Sequence, residues 1–526
     1  MFAELRLGEV FCHTANGVCN MSEGLLTHRV LPHEPFATLQ SYVKEGGGAG
    51  LRAARQVAPD VVIAELADSG LRGRGGAGFP TAEKWRTVSA HRSDVLPTTV
   101  VVNAAEGEPG TFKDRAILRA NPYAVIEGAL IAAHVVGART ITIATKKRFA
   151  TEVARLNEAW RDVTDANWCD GIGLRIVEGP SDYLFGEETA LLEVLEGRAA
   201  LPRTAPPWRR GVVDVVRDTT DLEHGSVAVA DVRMATTLAG SLAPPALVNN
   251  VETLANVPAI VAKGATWFRS VGTVESPGTI VCTVTGAVLH PCVLEVELGT
   301  SLRSVIECAG GPIRDDGHVT GVMLGVSNAM IPAADFDTPI TYEAMSLIGT
   351  GLGSASFIVM DDSTNPVAMA AGASRFLAVE SCGQCTPCKA DGLEIFERLR
   401  AIAVGNGTDD DLGIVQQRLV TIVDGARCNL ARQHQIVVSS ILRGFEDQVA
   451  RTITQRADVH PPVLIAELVS LDGFTATLDD GFLAKRADWT YAPRVGADTS
   501  SAIDDPGVTP AERANASSPM TLQDLE

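Results

Sequence analysis

The sequence predicts a multidomain protein in which an α/β layer with a parallel sheet is followed by a small α+β module and a mainly helical region. Three patterns support this order. Short β-branched runs alternate with helical patterns between about residues 70 and 270, strand-like runs flank one helix between about 275 and 345, and helical patterns dominate from 365 onward. We therefore expect several hydrophobic cores along the 526 residues.

The α/β layer follows a helix-like stretch at 58–70 and a glycine-rich loop at 70–78. Its strands are expected at 98–104, 139–145 and 174–179, and its helices at 121–137, 149–160 and 187–196. Strands that alternate with helices in this way are typical of a parallel sheet, which places ligands at the carboxyl ends of its strands.

The later segments have different patterns. "GTIVCTVTGAV" and "CVLEVELG" are read as strands, and "SLRSVIECAGG" as a helix that ends on glycine, which together indicate the small α+β module. After about residue 456 the chain becomes rich in Ser, Ala, Asp and Pro, so we expect a tail that is partly disordered or ordered by a partner. Its aromatic stretch "DGFLAKRADWTYAP" either clamps a partner or belongs to a free tail.

The composition narrows the function classes. A net charge of −20 repels nucleic acid and anionic lipid, which makes both poor candidates as ligands. The first 20 residues lack the pattern of a signal peptide, and no apolar run reaches the ~18 residues that a membrane span needs. We expect a cytoplasmic protein, located at a membrane only as a peripheral part of a complex. Disulfides are rare in the cytoplasm, so clustered cysteines indicate metal binding.

The stretch "ESCGQCTPCK" contains such a cluster. Cys382, Cys385 and Cys388 recur at every third position, and Cys428 follows within the helical region. Three thiolates from one loop and a fourth from a distant helix are typical of a [4Fe-4S] cluster. Structural zinc more often takes two separated pairs of cysteines, and buried unligated thiols are the remaining alternative. The spacing favours [4Fe-4S].

Four further stretches carry groups that could bind a ligand near the predicted sheet. The loop "GRGGAG", from Gly73 to Gly78, would let backbone N–H groups approach a phosphate, or is simply a flexible loop. "NAAEGEPG" follows a predicted strand with two carboxylates. Glu187 and Glu188 open a helix, where first-turn acids also stabilise the helix dipole, and the polar residues of "VNNVETL" equally fit an N-cap.

Together, five motifs in a fixed order resemble the NADH-oxidising flavoprotein subunit of respiratory complex I and the diaphorase subunits of NAD-linked formate dehydrogenases and hydrogenases. The motifs are "SGLRGRGGAGFPT", "NAAEGEPGTFKDR", "FGEETALLEVLEG", "VNNVETL" and "ESCGQCTPC" with the later cysteine. The resemblance spans about residues 37–450. It implies FMN, a [4Fe-4S] cluster and NAD(H) as cofactors.

The resemblance also implies the fold and its division. A Rossmann-like α/β domain for FMN and NADH would occupy 46–270, a ubiquitin-like β-grasp module of the soluble-ligand-binding type 271–345, and a helical bundle with the cluster 346–455. An N-terminal extension at 1–45 and the tail at 456–526 complete the chain.

The site residues are carried over motif by motif. The implied FMN contacts are Gly73, Gly75, Gly76, Lys84, Asn103, Glu106, Tyr183, Gly186, Glu187, Asn249, Asn250 and Thr253. The implied nucleotide contacts are Phe79, Glu108, Glu188 and Trp208, and the implied cluster ligands are Cys382, Cys385, Cys388 and Cys428. No side chain is implied as an acid or base, because the flavin itself performs the transfer.

Three substitutions depart from the family pattern. Ala105 replaces an aspartate near the flavin, Ala205 replaces a lysine, and Thr87 stands where an aromatic side chain is common. Residues 209–244 also form a longer connection than usual. Losing a cation and an aromatic contact should weaken nucleotide binding by about 1 to 3 kcal/mol if nothing compensates.

The sequence therefore predicts a diaphorase subunit that passes electrons between NAD(H) and partner subunits, in a soluble complex similar to a formate dehydrogenase. Two alternatives stay open: the F-type NADH dehydrogenase subunit of complex I, or a docking subunit that has a cluster but a decayed nucleotide site. The expected partners are a thioredoxin-like [2Fe-2S] subunit, a larger iron–sulfur or molybdenum subunit, or both.

Overall fold

A computed structural model describes residues 25–92, 98–204, 245–312, 314, 316–456 and 458–492. The strands of its α/β layer are β1 (Thr99–Ala104), β2 (Thr140–Lys146), β3 (Gly173–Gly179) and β4 (Ala246–Asn250). Within the described residues they form one parallel sheet in the order β3-β2-β1-β4. Val100, Val101 and Val102 are fully buried, as expected for a strand covered on both faces. The predicted parallel α/β layer is confirmed.

Helices cover this sheet and connect its strands. Gly128 lies where two helices cross, and a Cβ added there would lie 2.1 Å from the carbonyl oxygen of Leu254. Only glycine therefore permits this close approach. The helices of the layer are α1 (Leu39–Lys44), α2 (Ala49–Ala54), α3 (Pro59–Ser69), α4 (Thr81–Ala90), α5 (Lys113–Ala120), α6 (Pro122–Val136), α7 (Ala150–Asp165), α8 (Glu188–Leu195), α9 (Val251–Lys263) and α10 (Ala265–Phe268).

The small module is a mixed sheet with two short helices. Its elements are β5 (Thr279–Gly286), β6 (Cys292–Glu297), α11 (Leu302–Cys308), β7 (Val319–Met323), β8 (Ile331–Pro332), α12 (Tyr342–Leu347) and β9 (Ser356–Asp361). Their order, β6-β5-β9-β7-β8, places β9 between β5 and β7. The expected boundary at residue 345 would separate β9 from the sheet with which it pairs. We therefore propose to place this boundary after Asp361; the other boundaries stay predictions.

The helical region carries the cysteine cluster. It consists of α13 (Pro366–Glu380), α14 (Thr386–Ala403), α15 (Asp409–Thr421), α16 (Leu430–Gly444) and α17 (Glu446–Gln455). Almost all of α13 is buried, because α14, α16 and residues that follow α17 pack against it. Among the described residues, no helix is both long enough and apolar enough to cross a membrane.

The first part of the expected tail packs on the chain itself. We call residues 463–492 the C-terminal strap; it contains β10 (Leu468–Leu471), β11 (Ala476–Leu478) and a 3-10 helix (Asp480–Ala484). In the strap, Glu467 pairs with Lys146 of β2 and with Arg148. The carbonyl of Leu468 accepts a hydrogen bond from Arg115 at 2.6 Å. The chain's own α/β layer thus orders this segment; residues 493–526 lie outside the described part.

Replacing Glu467 by Gln should destabilise the protein. Lys146 is fully buried and would lose its carboxylate partner, and breaking a buried pair typically costs about 3 to 5 kcal/mol. Chemical unfolding followed by circular dichroism measures the change. Asp337→Asn, in an exposed pair with Arg303, is the control and should leave the transition unchanged. An E467Q protein as stable as the wild type would contradict this role of the strap.

Candidate functional site

The structure brings the four predicted cysteine ligands to one cavity. Cys382, Cys385, Cys388 and Cys428 line it together with Leu184 and other residues. Cys385 is the N-cap of α14 and Cys388 lies in its first turn, whereas Cys428 lies two residues before the start of α16. None of the four forms a disulfide. The four thiols thus lie together as predicted, three from one short segment and the fourth from a distant one; that they hold the cluster stays a prediction.

The chemistry of these thiols fits an iron–sulfur cluster. Burial raises the pKa of Cys428 to about 12 and also raises the pKa of Cys388. A positively charged inorganic core would offset this cost, because metal binding requires the thiolates. Among the described residues, no group of three or more His, Cys, Asp or Glu side chains is placed to hold a single metal ion. Four thiols that line one cavity, three of them close together in the chain, fit the ligand set of a [4Fe-4S] cluster.

The glycine-rich loop lies over the carboxyl end of β4. The N–H of Arg74 donates to the Thr253 hydroxyl at 2.9 Å, and a Cβ on Gly75 would lie 3.3 Å from the Asn250 side chain. Gly76 has a φ of +123°, and a Cβ there would meet no atom closer than 3.9 Å. The loop thus leaves an open cradle of backbone groups next to the polar ends of the sheet, which fits the phosphate of FMN.

Below this cradle lies a buried charge network that includes residues the sequence did not single out. The ammonium of Lys113 contacts Asp114 and Glu252, both at 2.8 Å, and Arg74 lies 3.7 Å from Glu252. The Asn250 amide donates to Asp114 at 2.6 Å. The network joins α5 to the end of β4. The only signal in the sequence is the charged run "KDR", which also fits an exposed helix start.

Glu106, a predicted FMN contact, is part of the same network. It accepts hydrogen bonds from Arg115 at 2.7 Å and from the N–H of Asp114 at 2.9 Å. Burial opposes its ionisation, but Arg115 and these hydrogen bonds lower the pKa of Glu106 overall. Its side chain therefore stabilises the end of β1 as a carboxylate, and direct contact with FMN stays a prediction.

The segment 183–188 lies beside the end of β1. The Asn103 amide donates to the carbonyl of Gly186 at 2.8 Å. Glu187 is the N-cap of α8 and accepts from the N–H of Ala190 at 2.8 Å, so the capping alternative is observed for this residue. Glu188 instead receives Lys84 at 2.6 Å. One predicted nucleotide contact is thus paired with one predicted FMN contact.

Tyr183 links the two candidate sites. Its hydroxyl donates to Glu108 at 2.7 Å and accepts from Gln433 of α16 at 3.2 Å. The next residue, Leu184, lines the cysteine cavity. The sequence did not single out Gln433, because a polar residue in a helix carries no signal of a distant contact. One turn of the chain thus contacts Glu108, a residue predicted to bind the nucleotide, and also forms part of the wall of the cysteine cavity.

Glu108 is held in a poorly solvated position. Burial raises the pKa of its carboxyl to about 7, although Tyr183 and the N–H of Val326 donate to it.

The predicted nucleotide contact Phe79 is 46% exposed, as an aromatic ring that receives a ligand requires.

Some of the remaining predicted residues and substituted positions lie within the described part of the chain, and others lie outside it. Asn249 accepts from the indole N–H of Trp85 at 2.9 Å, so it lies with Asn250 at the end of β4. Of the substituted positions, Ala105 is buried, and the hydroxyl of Thr87 donates to the carbonyl of Glu83 within α4. Trp208, Ala205 and the connection at 209–244 lie outside the described residues.

Comparisons with known proteins match these regions separately. Residues 66–259 match the Nuo51 FMN-binding domain, 281–327 the SLBB domain, and 368–452 the iron-sulfur binding region of NADH-ubiquinone oxidoreductase-F.

Similar proteins cover most of the chain. The second F-type NADH-quinone oxidoreductase subunit of Rhizobium meliloti is 34% identical over 430 residues, which is 80% of this chain and 95% of that protein. The F-type subunit of Streptomyces coelicolor is 35% identical over 429 residues, 80% and 89% of the two chains. Among solved structures, an NAD+-reducing [NiFe]-hydrogenase in its H2-reduced state superposes with a TM-score of 0.67 at 30% identity, covering 80% of this chain and 67% of that one.

The raised pKa of Glu108 predicts a pH-dependent contribution to stability. The folded state binds this proton more tightly than the unfolded state does, because the pKa of Glu108 is higher when the protein is folded. Its contribution to the free energy of unfolding therefore falls as pH rises between 4.5 and about 7. The wild type should therefore lose stability relative to Glu108→Gln across this range, and the difference should become constant above it. Unfolding of both proteins at a series of pH values measures this; parallel curves would contradict the raised pKa.

Proposed function

The chain belongs to the family of NADH-binding flavoprotein subunits with FMN and an iron–sulfur cluster that includes the F-type subunits of NADH-quinone oxidoreductases, and from that premise we propose that it serves a soluble complex similar to an NAD-dependent formate dehydrogenase. It is an NADH dehydrogenase-type flavoprotein subunit. FMN, [4Fe-4S] and NADH are its cofactors, as the sequence predicted.

The observation that carries the proposed electron path is the position of Tyr183 and Leu184. Tyr183 donates to Glu108 on the nucleotide side, and Leu184 lines the cysteine cavity. This short connection between the two sites supports electron transfer within one chain. The chemistry that FMN supplies when bound is the exchange of an electron pair from a nicotinamide for single electrons.

The residues of the cradle would bind and orient FMN. Gly73, Gly75 and Gly76 would border its phosphate; the N–H of Gly73 already donates to the carbonyl of Phe79 at 2.8 Å, and a Cβ on Gly76 would meet no atom closer than 3.9 Å. Lys84 supplies a nearby positive charge. The polar groups around the ends of β1 and β4 would hold the ribityl chain and ring through hydrogen bonds; they are Asn103, Glu106, Tyr183, Gly186, Glu187, Asn249, Asn250 and Thr253.

The nucleotide would bind at the outer side of the cradle. Phe79 offers an exposed ring for stacking, and Glu108 and Glu188 offer carboxylates for ribose or amide groups, together with Trp208. Because Lys84 already pairs with Glu188, binding of either ligand would compete with this ion pair. Glu108 and Glu188 position the nicotinamide; neither is needed as a catalytic base.

Electrons would leave or enter through the cluster toward partner subunits. Cys382, Cys385 and Cys428 are only half-buried, which places the cavity near the surface of the chain. We propose a thioredoxin-like [2Fe-2S] subunit and a larger iron–sulfur or molybdenum subunit as partners, in the cytoplasm. The substitutions at 87, 105 and 205 favour such a specialised soluble complex over complex I, which is the second candidate.

Purification of the intact complex from its native cells, through an affinity tag on this chain, tests the proposal. We expect formate-dependent reduction of NAD+ by the soluble fraction. Cys428→Ser should abolish that reaction but keep NADH-dependent reduction of ferricyanide, which can take electrons directly from a flavin. Cys169→Ser, outside the cavity, is the matched control and should behave as the wild type. Co-purification with a membrane-bound, quinone-reducing complex would contradict the formate assignment and support complex I.

A further inference from the structure

A buried lysine of the C-terminal strap lies between two carboxylates. The ammonium of Lys485 is 2.7 Å from Glu380 and 2.8 Å from Asp182, and only 2% of its side chain is exposed. Burial by itself would lower the pKa of Lys485, but the two carboxylates raise it above its ordinary value. Lys485 therefore keeps a full positive charge inside the protein.

The two carboxylates belong to the two candidate sites. Glu380 ends α13, two residues before Cys382, and its other oxygen accepts from the N–H of Tyr183 at 3.0 Å. Asp182 directly precedes Tyr183 in the chain. Lys485 thus joins the turn that contacts Glu108 to the loop that carries three of the cysteines.

The strap fixes the position of this lysine. The indole N–H of Trp489 donates to the carbonyl of Val379 at 2.9 Å, and Arg375 donates to the carbonyl of Leu483 at 3.0 Å. Both contacts attach the strap to α13. The matched iron–sulfur region ends at residue 452 and so does not include this segment.

A second cation, Lys389, lies on the other side of the same loop. Its ammonium donates to the carbonyls of Ala378 and Ser381 at 2.9 and 2.8 Å. Lys389 interacts electrostatically with Cys382, Cys388, Glu380 and Lys485. Lys485 itself reaches this loop through its pair with Glu380, which precedes Cys382 by two residues.

We propose that Lys485 is a positioning residue that holds the Tyr183 turn against the cysteine loop and makes the cluster easier to reduce. The inference rests on the proposed [4Fe-4S] cluster. One-electron reduction adds one negative charge to the cavity, and a fixed cation in a poorly solvated surrounding stabilises that charge. Local net charge is one of the factors that set the potential of such clusters.

Redox titration of the purified protein loaded with FMN and cluster tests this proposal. Dithionite supplies the electrons, and the EPR signal of the reduced cluster reports the midpoint potential. Lys485→Gln removes the positive charge but keeps hydrogen-bond donors, and should shift the potential to more negative values. Lys485→Arg keeps the charge and should restore the wild-type potential. Arg303→Gln, at an exposed pair in the small module, is the matched control and should cause no shift.

A second variant, which removes a negative charge instead of a positive one, keeps the test decisive if Lys485→Gln fails to fold or to hold the cluster. Asp182→Asn removes a partly exposed carboxylate and leaves the pair of Lys485 with Glu380 intact. It should shift the potential to more positive values. A wild-type potential in K485Q or, where K485Q cannot be measured, in D182N would overturn the inference. A wild-type protein without iron or a reduced-cluster signal would instead overturn the proposed cluster itself.

Discussion

The buried pairing of Lys113 with Asp114 and Glu252 is the interaction on which the flavin site depends. Desolvation of three charges is costly, and their attraction offsets it only if the geometry and the surrounding hydrogen bonds are well matched. Asp114 meets this condition by accepting from Asn250, and Glu252 by accepting from the N–H of Val281 in β5. The network thereby fixes the glycine loop, the end of β4 and the small module relative to one another.

A second constraint joins this site to the cluster. The 3-10 turn at Tyr183–Gly186 is attached to β1 through Asn103, to α13 through Glu380 and to α16 through Gln433. Because the same turn supplies Leu184 to the cysteine cavity, movement of the helical region relative to the sheet would disturb both sites. The C-terminal strap opposes such movement, since it contacts β2 and α13 through buried charges.

The sequence predicted the parts of this structure that depend on local patterns. Strands β1, β2 and β3 and helix α6 were found within a few residues, because buried apolar runs and helical spacing are local features. The spacing of the cysteines likewise predicted that all four lie together. Lys113 and Lys485 were missed, since a charged residue normally indicates solvent exposure and only distant carboxylates make its burial possible. The strap was missed because its strands are short, and β9 because its partners lie far away in the chain.

The central claim is that one chain connects a nicotinamide site to an iron–sulfur cluster through the Tyr183 turn. The most direct measurement is an anaerobic titration of the purified chain with NADH, after FMN and iron have been assayed, that follows the visible flavin band and the EPR signal of the reduced cluster. The account predicts that the flavin band bleaches and that the cluster signal develops. Bound FMN and iron that both stay oxidised in excess NADH would contradict it.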